Sequence, residues 1–295
     1  MSSYVLTCCS TADLTRRRFE ELHIPVVCNR YTLGSEERSD DMWESTSPAD
    51  FYHAMEEGAM TRTAQISFSE YTEFWRPFLE DGKDVLHITL SSGLTGTLNS
   101  ARIAAEDLLR EYPGRRIEVV DSLGACSGYG LLMEALAARR DGGASIDELV
   151  SFAESRRLHL HHWFFSSDLT YYIRGGRVSR TAGFIGKLLN ICPLLNMDNT
   201  GSLIPREKVR TKRKVIREIV ARMEAHAENG SDYDDLCFIA HSECEEDAQA
   251  VAQLVEDTFP HLRGKVKIYR IGCTIGSHTG PGTVALFFWG DERGA

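Results

Sequence analysis

An apolar strand signal runs from Asp84 to Leu90 and stops at Ser91-Ser92-Gly93-Leu94-Thr95-Gly96, after which Thr97 to Arg110 reads as a helix of good formers. A strand that turns this tightly into a helix belongs to α/β architecture, in which a parallel sheet gathers ligands at the carboxyl ends of its strands. The turn aims free backbone N–H groups and the positive end of the helix dipole at one spot, which suits an anion. Its side chains narrow the choice. A phosphate loop carries a Lys, as in G-x-x-x-x-G-K-[ST], whereas here only the hydroxyls of Ser91, Ser92, Thr95 and Thr97 and the amides between Gly93 and Gly96 are on offer. That set fits a singly charged carboxylate better than a nucleotide phosphate. Many such turns are rich in Gly and Ser for capping and steric reasons alone, so the signal needs support elsewhere in the chain.

The flanking segments alternate in the same manner. Tyr4 to Cys8 is a strand, with Ser10 or Thr11 placed to cap a helix through Leu14, Phe19 and Leu22; Ile24 to Cys28 is strand-like, and Gly34 to Ser47 has no regular period. Ser47-Pro48 opens a helix ending near Gly58. Ser67 and Glu70 form a capping-box pattern ahead of Tyr71, Phe74, Trp75, Phe78 and Leu79, one wide apolar face that reads as core. Strand 117–120 and helix 124–140 continue the alternation up to the breaker Asp141-Gly142-Gly143-Ala144. A helix capped by Ser145 and Glu148 then carries the chain through Arg157 into a second unit. The expected architecture is therefore α/β: an N-terminal parallel-sheet domain over 1–157 and a C-terminal α+β domain over 158–295, its mixed sheet flanked by helices.

In that second half, His159, His161 and His162 lead into Trp163-Phe164-Phe165. A metal pair is conceivable, but no acidic or Cys partner stands beside it in sequence, so an exposed strand face is the expectation. A helix over 178–189, a hairpin around Asp198-Asn199-Thr200-Gly201, helices 211–228 and 245–258, and strands 236–240, 266–271 and 283–289 complete the reading. The segment Ile271 to Thr283 reads as a Gly-rich loop whose one histidine, His278, is suited to donate a hydrogen bond to a carboxylate.

Composition excludes several classes. The net charge of −10 argues against nucleic acid or an anionic membrane as the main partner, and the basic run from Arg206 to Arg217 reads as a solvated strand end and first helical turns. The eight cysteines show neither C-x-x-C nor zinc spacing and mostly sit in apolar runs, as reduced core residues of a cytoplasmic protein would. No stretch has the length of a membrane span or the form of a signal peptide, so neither secretion nor stable membrane insertion is expected.

Seven segments taken in order make the chain similar to the DegV family of bacterial fatty-acid-binding proteins. They are Ser10-Thr11-Ala12-Asp13-Leu14, Thr63-Ala64-Gln65, Ser91 to Thr97, Gly175-Gly176-Arg177, Leu189-Asn190-Ile191-Cys192-Pro193, Arg210-Thr211, and Ile275 to Gly282. The resemblance implies a two-domain α/β protein that holds one long-chain fatty acid such as palmitate, with no other cofactor and no metal. Its carboxylate would lie at the domain junction and its tail in an apolar tunnel of the C-terminal domain. It further implies that the protein is not an enzyme but presents the acid to a separate fatty acid kinase subunit that forms acyl phosphate. On this resemblance Thr63 and Thr95 match the carboxylate-binding hydroxyls, His278 joins their network, and Ser92 and Gly96 are adjacent donors. Cys9 and Cys192 stand where the family usually carries Asp and Lys, and Thr95 replaces a Ser while keeping the hydroxyl.

Two other classes compete. An acyl hydrolase or transferase would use Ser92 or Thr95 as nucleophile with His278 as base, but the chain lacks G-x-S-x-G and offers no nameable carboxylate to orient the histidine. A protein for phosphorylated ligands would use the same turn, against the missing Lys and the missing G-x-G-x-x-G.

Overall fold

The computed structural model describes residues 4–179 and 191–294. The helix expected over 178–189 falls, from residue 180 on, outside the described residues, as do Leu189 and Asn190.

Strand β1 (Tyr4–Cys9) leads into a single 3-10 turn, Ser10–Ala12, which Asp13 ends in the left-handed region at φ 47°. The expected cap at Ser10 or Thr11 is therefore corrected: Asp13 interrupts the helix, and α1 (Arg16–Glu21) starts instead on Thr15, whose hydroxyl accepts the Arg18 N–H. After β2 (Val26–Val27) comes a hairpin of β3 (Arg30–Leu33), a strand the sequence does not mark, and β4 (Glu36–Ser39), which lies in the stretch that shows no period. Helix α2 (Pro48–Glu56) begins on Ser47 as expected, and β5 (Thr61–Ala64) then pairs with β3, setting Thr63 opposite Tyr31. The two bonds of the Ser67/Glu70 capping box both form at the start of α3 (Phe68–Glu80), and Tyr71, Trp75 and Leu79 are buried.

Then follow β6 (Asp84–Thr89), α4 (Thr97–Glu111), β7 (Ile117–Asp121) and α5 (Cys126–Asp141). The first sheet is parallel with order β2-β1-β6-β7, and β1 and β6 pair from Tyr4 opposite Asp84 to Cys8 opposite Ile88. This register brings the turns that follow the two strands side by side on the carboxyl edge. Helix α5 is buried on nearly every side, with a core that runs without a break from Leu6 through Leu131 and Leu136 to Phe164 and Leu286.

Helix α6 (Ile146–Arg156), again with its capping box formed, precedes the second sheet. That sheet is built from β8 (Leu160–Ser166), followed by α7 (Thr170–Arg174), then β9 (Ile191–Met197), β10 (Leu203–Arg210), α8 (Lys212–His226), β11 (Cys237–His241), α9 (Glu245–Thr258), β12 (Lys267–Arg270), α10 (Cys273–Thr279) and β13 (Thr283–Trp289). Its order is β10-β9-β8-β13-β11-β12, antiparallel except for the pair β11 and β12. The histidine strand is not an exposed face: every residue of β8 is buried, His161 and His162 included, because β8 lies in the middle of the sheet under helices on both sides. The Gly-rich loop of the sequence reading is likewise corrected, since Cys273–Thr279 forms a helix. Its first amides, those of Cys273 and Thr274, donate to the Asp40 carboxylate, a cap supplied from the far end of the chain. Among the described residues no helix is long and apolar enough to cross a membrane.

Candidate functional site

A cavity of about 370 Å³ opens where the two sheets' ends meet. Its walls come from β5 (Thr63, Ala64 and the following Gln65), from the turn after β6 (Leu90, Leu94, Thr95, Gly96), from Arg177, and from α10 (Ile275, His278). Ala125, Phe164, Met197, Ala285 and Phe287 supply an apolar lining from the residue before α5 and the second sheet, with His162 beside them.

Three of the polar groups, Thr63, His278 and Arg177, form one connected chain. Thr63 Oγ1 lies 2.7 Å from His278 Nε2, and Thr61 on the same strand donates to the Ser277 carbonyl, so β5 and α10 are tied at two points. Arg177 donates from Nη1 to the Gly175 carbonyl (2.6 Å) and to His278 Nδ1 (3.3 Å), and from Nη2 to the Leu94 carbonyl (3.1 Å). Gly175 permits this approach: a Cβ there would stand 2.2 Å from His278 Nδ1.

The protons follow from the partners. A guanidinium only donates, so His278 Nδ1 accepts, its proton sits on Nε2, and Nε2–H donates to Thr63 Oγ1. Thr63 then keeps its own O–H for a group in the cavity. Burial first, and the Arg177 charge second, push the His278 pKa down to about 4, which holds the ring neutral in this tautomer at ordinary pH. Burial also lowers the Arg177 pKa from its ordinary value, yet the guanidinium keeps its charge. Among the described residues no carboxylate pairs with it. A half-buried cation whose partners among the described residues are two carbonyls and a ring nitrogen leaves positive charge for an anion entering the cavity.

The turn after β6 divides its work between adjacent residues. Ser91 is buried; it donates to the Gly201 carbonyl (2.8 Å), accepts the Gly93 N–H, and so fastens the turn to the β9–β10 hairpin. Ser92 is exposed and does not line the cavity, and its N–H is held by Asp121. Thr95 and Gly96 line it. Gly96 is the N-cap of α4 and so brings no side chain of its own to the helix end; the Thr95 hydroxyl accepts the first amide, Thr97 N–H, at 3.4 Å. A Cβ at Gly96 would meet Gln65 Oε1 at 2.6 Å, so glycine keeps Gln65 and the helix end close.

Of the residues named from sequence, Thr63, Thr95, Gly96 and His278 thus meet at one cavity, and Ser92 does not. Arg177 and Gln65 were missed as site residues. Gly175-Gly176-Arg177 carried the signal for Arg177 but reads locally as a helix stop. Neither Cys9 nor Cys192 lines the cavity. Cys9 is buried beside Tyr71 and His87, and Cys192 is buried in β9.

Comparison with known proteins matches a family model described as "Uncharacterised protein, DegV family" to residues 7–291. A DegV domain-containing protein of Clostridium perfringens is 35% identical over 296 residues, 99% of each chain. The solved structure of a DegV family protein from Thermus thermophilus, reported with fatty acid binding, is 27% identical with a TM-score of 0.85, covering 97% of this chain and 99% of that one. A DegV lipid binding protein from Thermotoga maritima is 25% identical with a TM-score of 0.83, covering 99% and 100%.

Proposed function

We propose that this chain, which belongs to the DegV family, binds one long-chain fatty acid and carries it without transforming it. The observation that carries the reading is the Arg177–His278–Thr63 chain at one side of a cavity whose far wall is mostly apolar. In this reading the carboxylate takes hydrogen bonds from the Thr63 hydroxyl, from Thr95 and from the open end of α4 at Gly96, with Arg177 supplying the opposite charge. The acyl tail lies along Phe164, Met197, Ala285 and Phe287. Each buried methylene contributes ~0.8 kcal/mol, so the tail dominates affinity while the head group fixes orientation. The fatty acid binding of the Thermus thermophilus relative and the lipid binding of the Thermotoga maritima relative support the same ligand class. Residues 1–157 then supply most of the head-group donors and 158–295 most of the tail's walls, with Arg177 and His278 reaching across.

A carrier fits the site better than a hydrolase. The partner of His278 Nδ1 is a cation, where an acyl-transfer base would need a carboxylate, and a ring with a pKa of about 4 is a poor proton acceptor at neutral pH. The same proposal extends to delivery of the acid to a separate fatty acid kinase, and to a cytoplasmic location in keeping with eight unpaired thiols.

Mass spectrometry of the purified protein, native and after organic extraction, tests the reading. One equivalent of intact fatty acid is expected. A protein that is empty and also fails to take up added fatty acids would overturn it, and a covalent acyl adduct would restore the hydrolase. For the kinase step, acyl phosphate should form only when carrier, kinase and ATP are all present.

A further inference from the structure

His161 in β8, His226 at the end of α8 and Asp291 just after β13 are separated by 65 residues at each step, yet the fold gathers them away from the cavity. His161 Nε2 lies 3.0 Å from Asp291 Oδ1, and His226 Nδ1 lies 3.1 Å from the same oxygen. The three ligand atoms are all within 4.8 Å of one another. In a tetrahedral zinc site with bonds of 2.0–2.1 Å the ligand atoms stand about 3.3 Å apart, so the two His–Asp pairs, now hydrogen-bonded at 3.0 and 3.1 Å, need to open only slightly to admit an ion.

We propose that His161, His226 and Asp291 form a binding site for one divalent transition-metal ion, zinc fitting best, that clasps the C-terminal segment to the second sheet. The donor set makes the choice: two imidazoles and one carboxylate suit zinc, cobalt or nickel, whereas calcium and magnesium seek oxygen alone. The Asp291 carbonyl oxygen, 2.9 Å from His161 Nε2, or solvent beside the exposed Asp291 carboxylate, fills the fourth position.

The empty arrangement needs one adjustment. The two rings are stacked, with centroids 5.0 Å apart and planes at 21°, so their lone pairs do not yet meet. His161 is buried and stacked on Phe288 on its other side, whereas His226 is half-buried and lies farther from its second ring, Trp163, at 6.0 Å between centroids, so His226 is the ring that turns. Ligation through Nε2 also moves the His161 N–H to Nδ1, which has no acceptor among the described residues. A ligating histidine supported by such an acceptor binds on the order of 10–100-fold more tightly, so this site is weaker than a fully supported one by that factor.

The ion would act on the strap of residues 290–294. Asp291 N–H donates to the His226 carbonyl and Arg293 N–H to that of Leu158, and the buried Arg293 side chain reaches the carbonyls of Leu123 and Arg157. Fixing Asp291 therefore fixes a segment that holds loops from both halves of the chain.

The test uses the metal-stripped full-length protein, titrated with zinc against a chromophoric chelator and with cobalt(II) as a spectroscopic probe. One equivalent should bind, with four-coordinate cobalt bands and a metal-dependent rise in melting temperature. Asp291→Asn and His226→Ala, both at accessible positions, should each weaken binding by at least about tenfold and abolish the melting shift. A folded protein that takes up no metal overturns the proposal. So does uptake that both variants retain, which would assign the ion to the cysteines instead.

Discussion

Two turns lie side by side on the carboxyl edge of the parallel sheet, and both join a strand to a helix through hydroxyl residues. After β1, Ser10, Thr11, Ala12 and Asp13 are all buried, α5 packs directly on them, and Thr15 caps the helix that follows. After β6, Ser91 is spent on the hairpin loop, α4 starts on Gly96 with only a long bond from Thr97 N–H to the Thr95 hydroxyl, and Thr95 and Gly96 face the cavity. The same local pattern thus gives a closed turn in one place and an open one in the other. What separates them is which tertiary element covers the helix end. An anion site arises where the helix end faces a cavity and its first amide is held only by a hydroxyl, here Thr95, whose own O–H still points to a ligand.

Substitutions that exchange stability for affinity sharpen this contrast most. Gly130→Ala puts a Cβ 2.4 Å from the Ala12 carbonyl oxygen under the closed turn. It should destabilise the fold by about 3 kcal/mol, the upper part of the overpacking range, while the folded fraction binds ligand normally; urea unfolding and a binding titration read the two effects. At the open site, Arg177→Met should leave unfolding nearly unchanged and weaken fatty acid binding on the order of tenfold to a hundredfold, since hydrogen bonds to charged groups contribute most. Equal loss of affinity in both variants would erase the distinction.

Thr63→Val removes one hydroxyl and should weaken binding by roughly threefold to tenfold in the same titration. The pH dependence is smaller. His278 has a folded pKa of about 4 against about 6.5 unfolded, so the unfolded chain binds more protons between those values. Its stabilisation is complete above pH 6.5 and is lost as pH falls toward 4. Between pH 7 and 6 the change is under about 1 kcal/mol, and His278→Gln should flatten the unfolding curve by that amount relative to wild type. Ser92→Ala should change affinity by less than about twofold. A large effect there would move the anion toward the exposed part of the turn.

The elements readable from sequence are those whose stabilisation is local. The α3 stripe, both capping boxes and the β6–α4 turn depend on residues three or four apart, and all form where expected. The hairpin of β3 and β4 and strand β5 were missed because four-residue strands with one half-exposed face leave no measurable period. Helix α10 was hidden for another reason: glycines argue against a helix, and the Asp40 cap that satisfies its first amides lies 233 and 234 residues away. The site behaves likewise. Thr63, Thr95, Gly96 and His278 were named through the family pattern rather than through spacing, and only tertiary structure separates buried Ser91 from exposed Ser92 or turns Arg177 toward His278. The burial of His161 and its meeting with His226 and Asp291 left no mark on neighbouring residues at all.

The outermost strand of the second sheet, β10, runs through Pro205, shifts register between Pro205 and Glu207, and directs Arg206, Lys208 and Arg210 outward at every second position. A free strand edge is an invitation to self-assembly, and proline, an irregular register and a row of cations each discourage it. The basic run that looks idle in sequence therefore lies along the strand where such features count against pairing with a further strand.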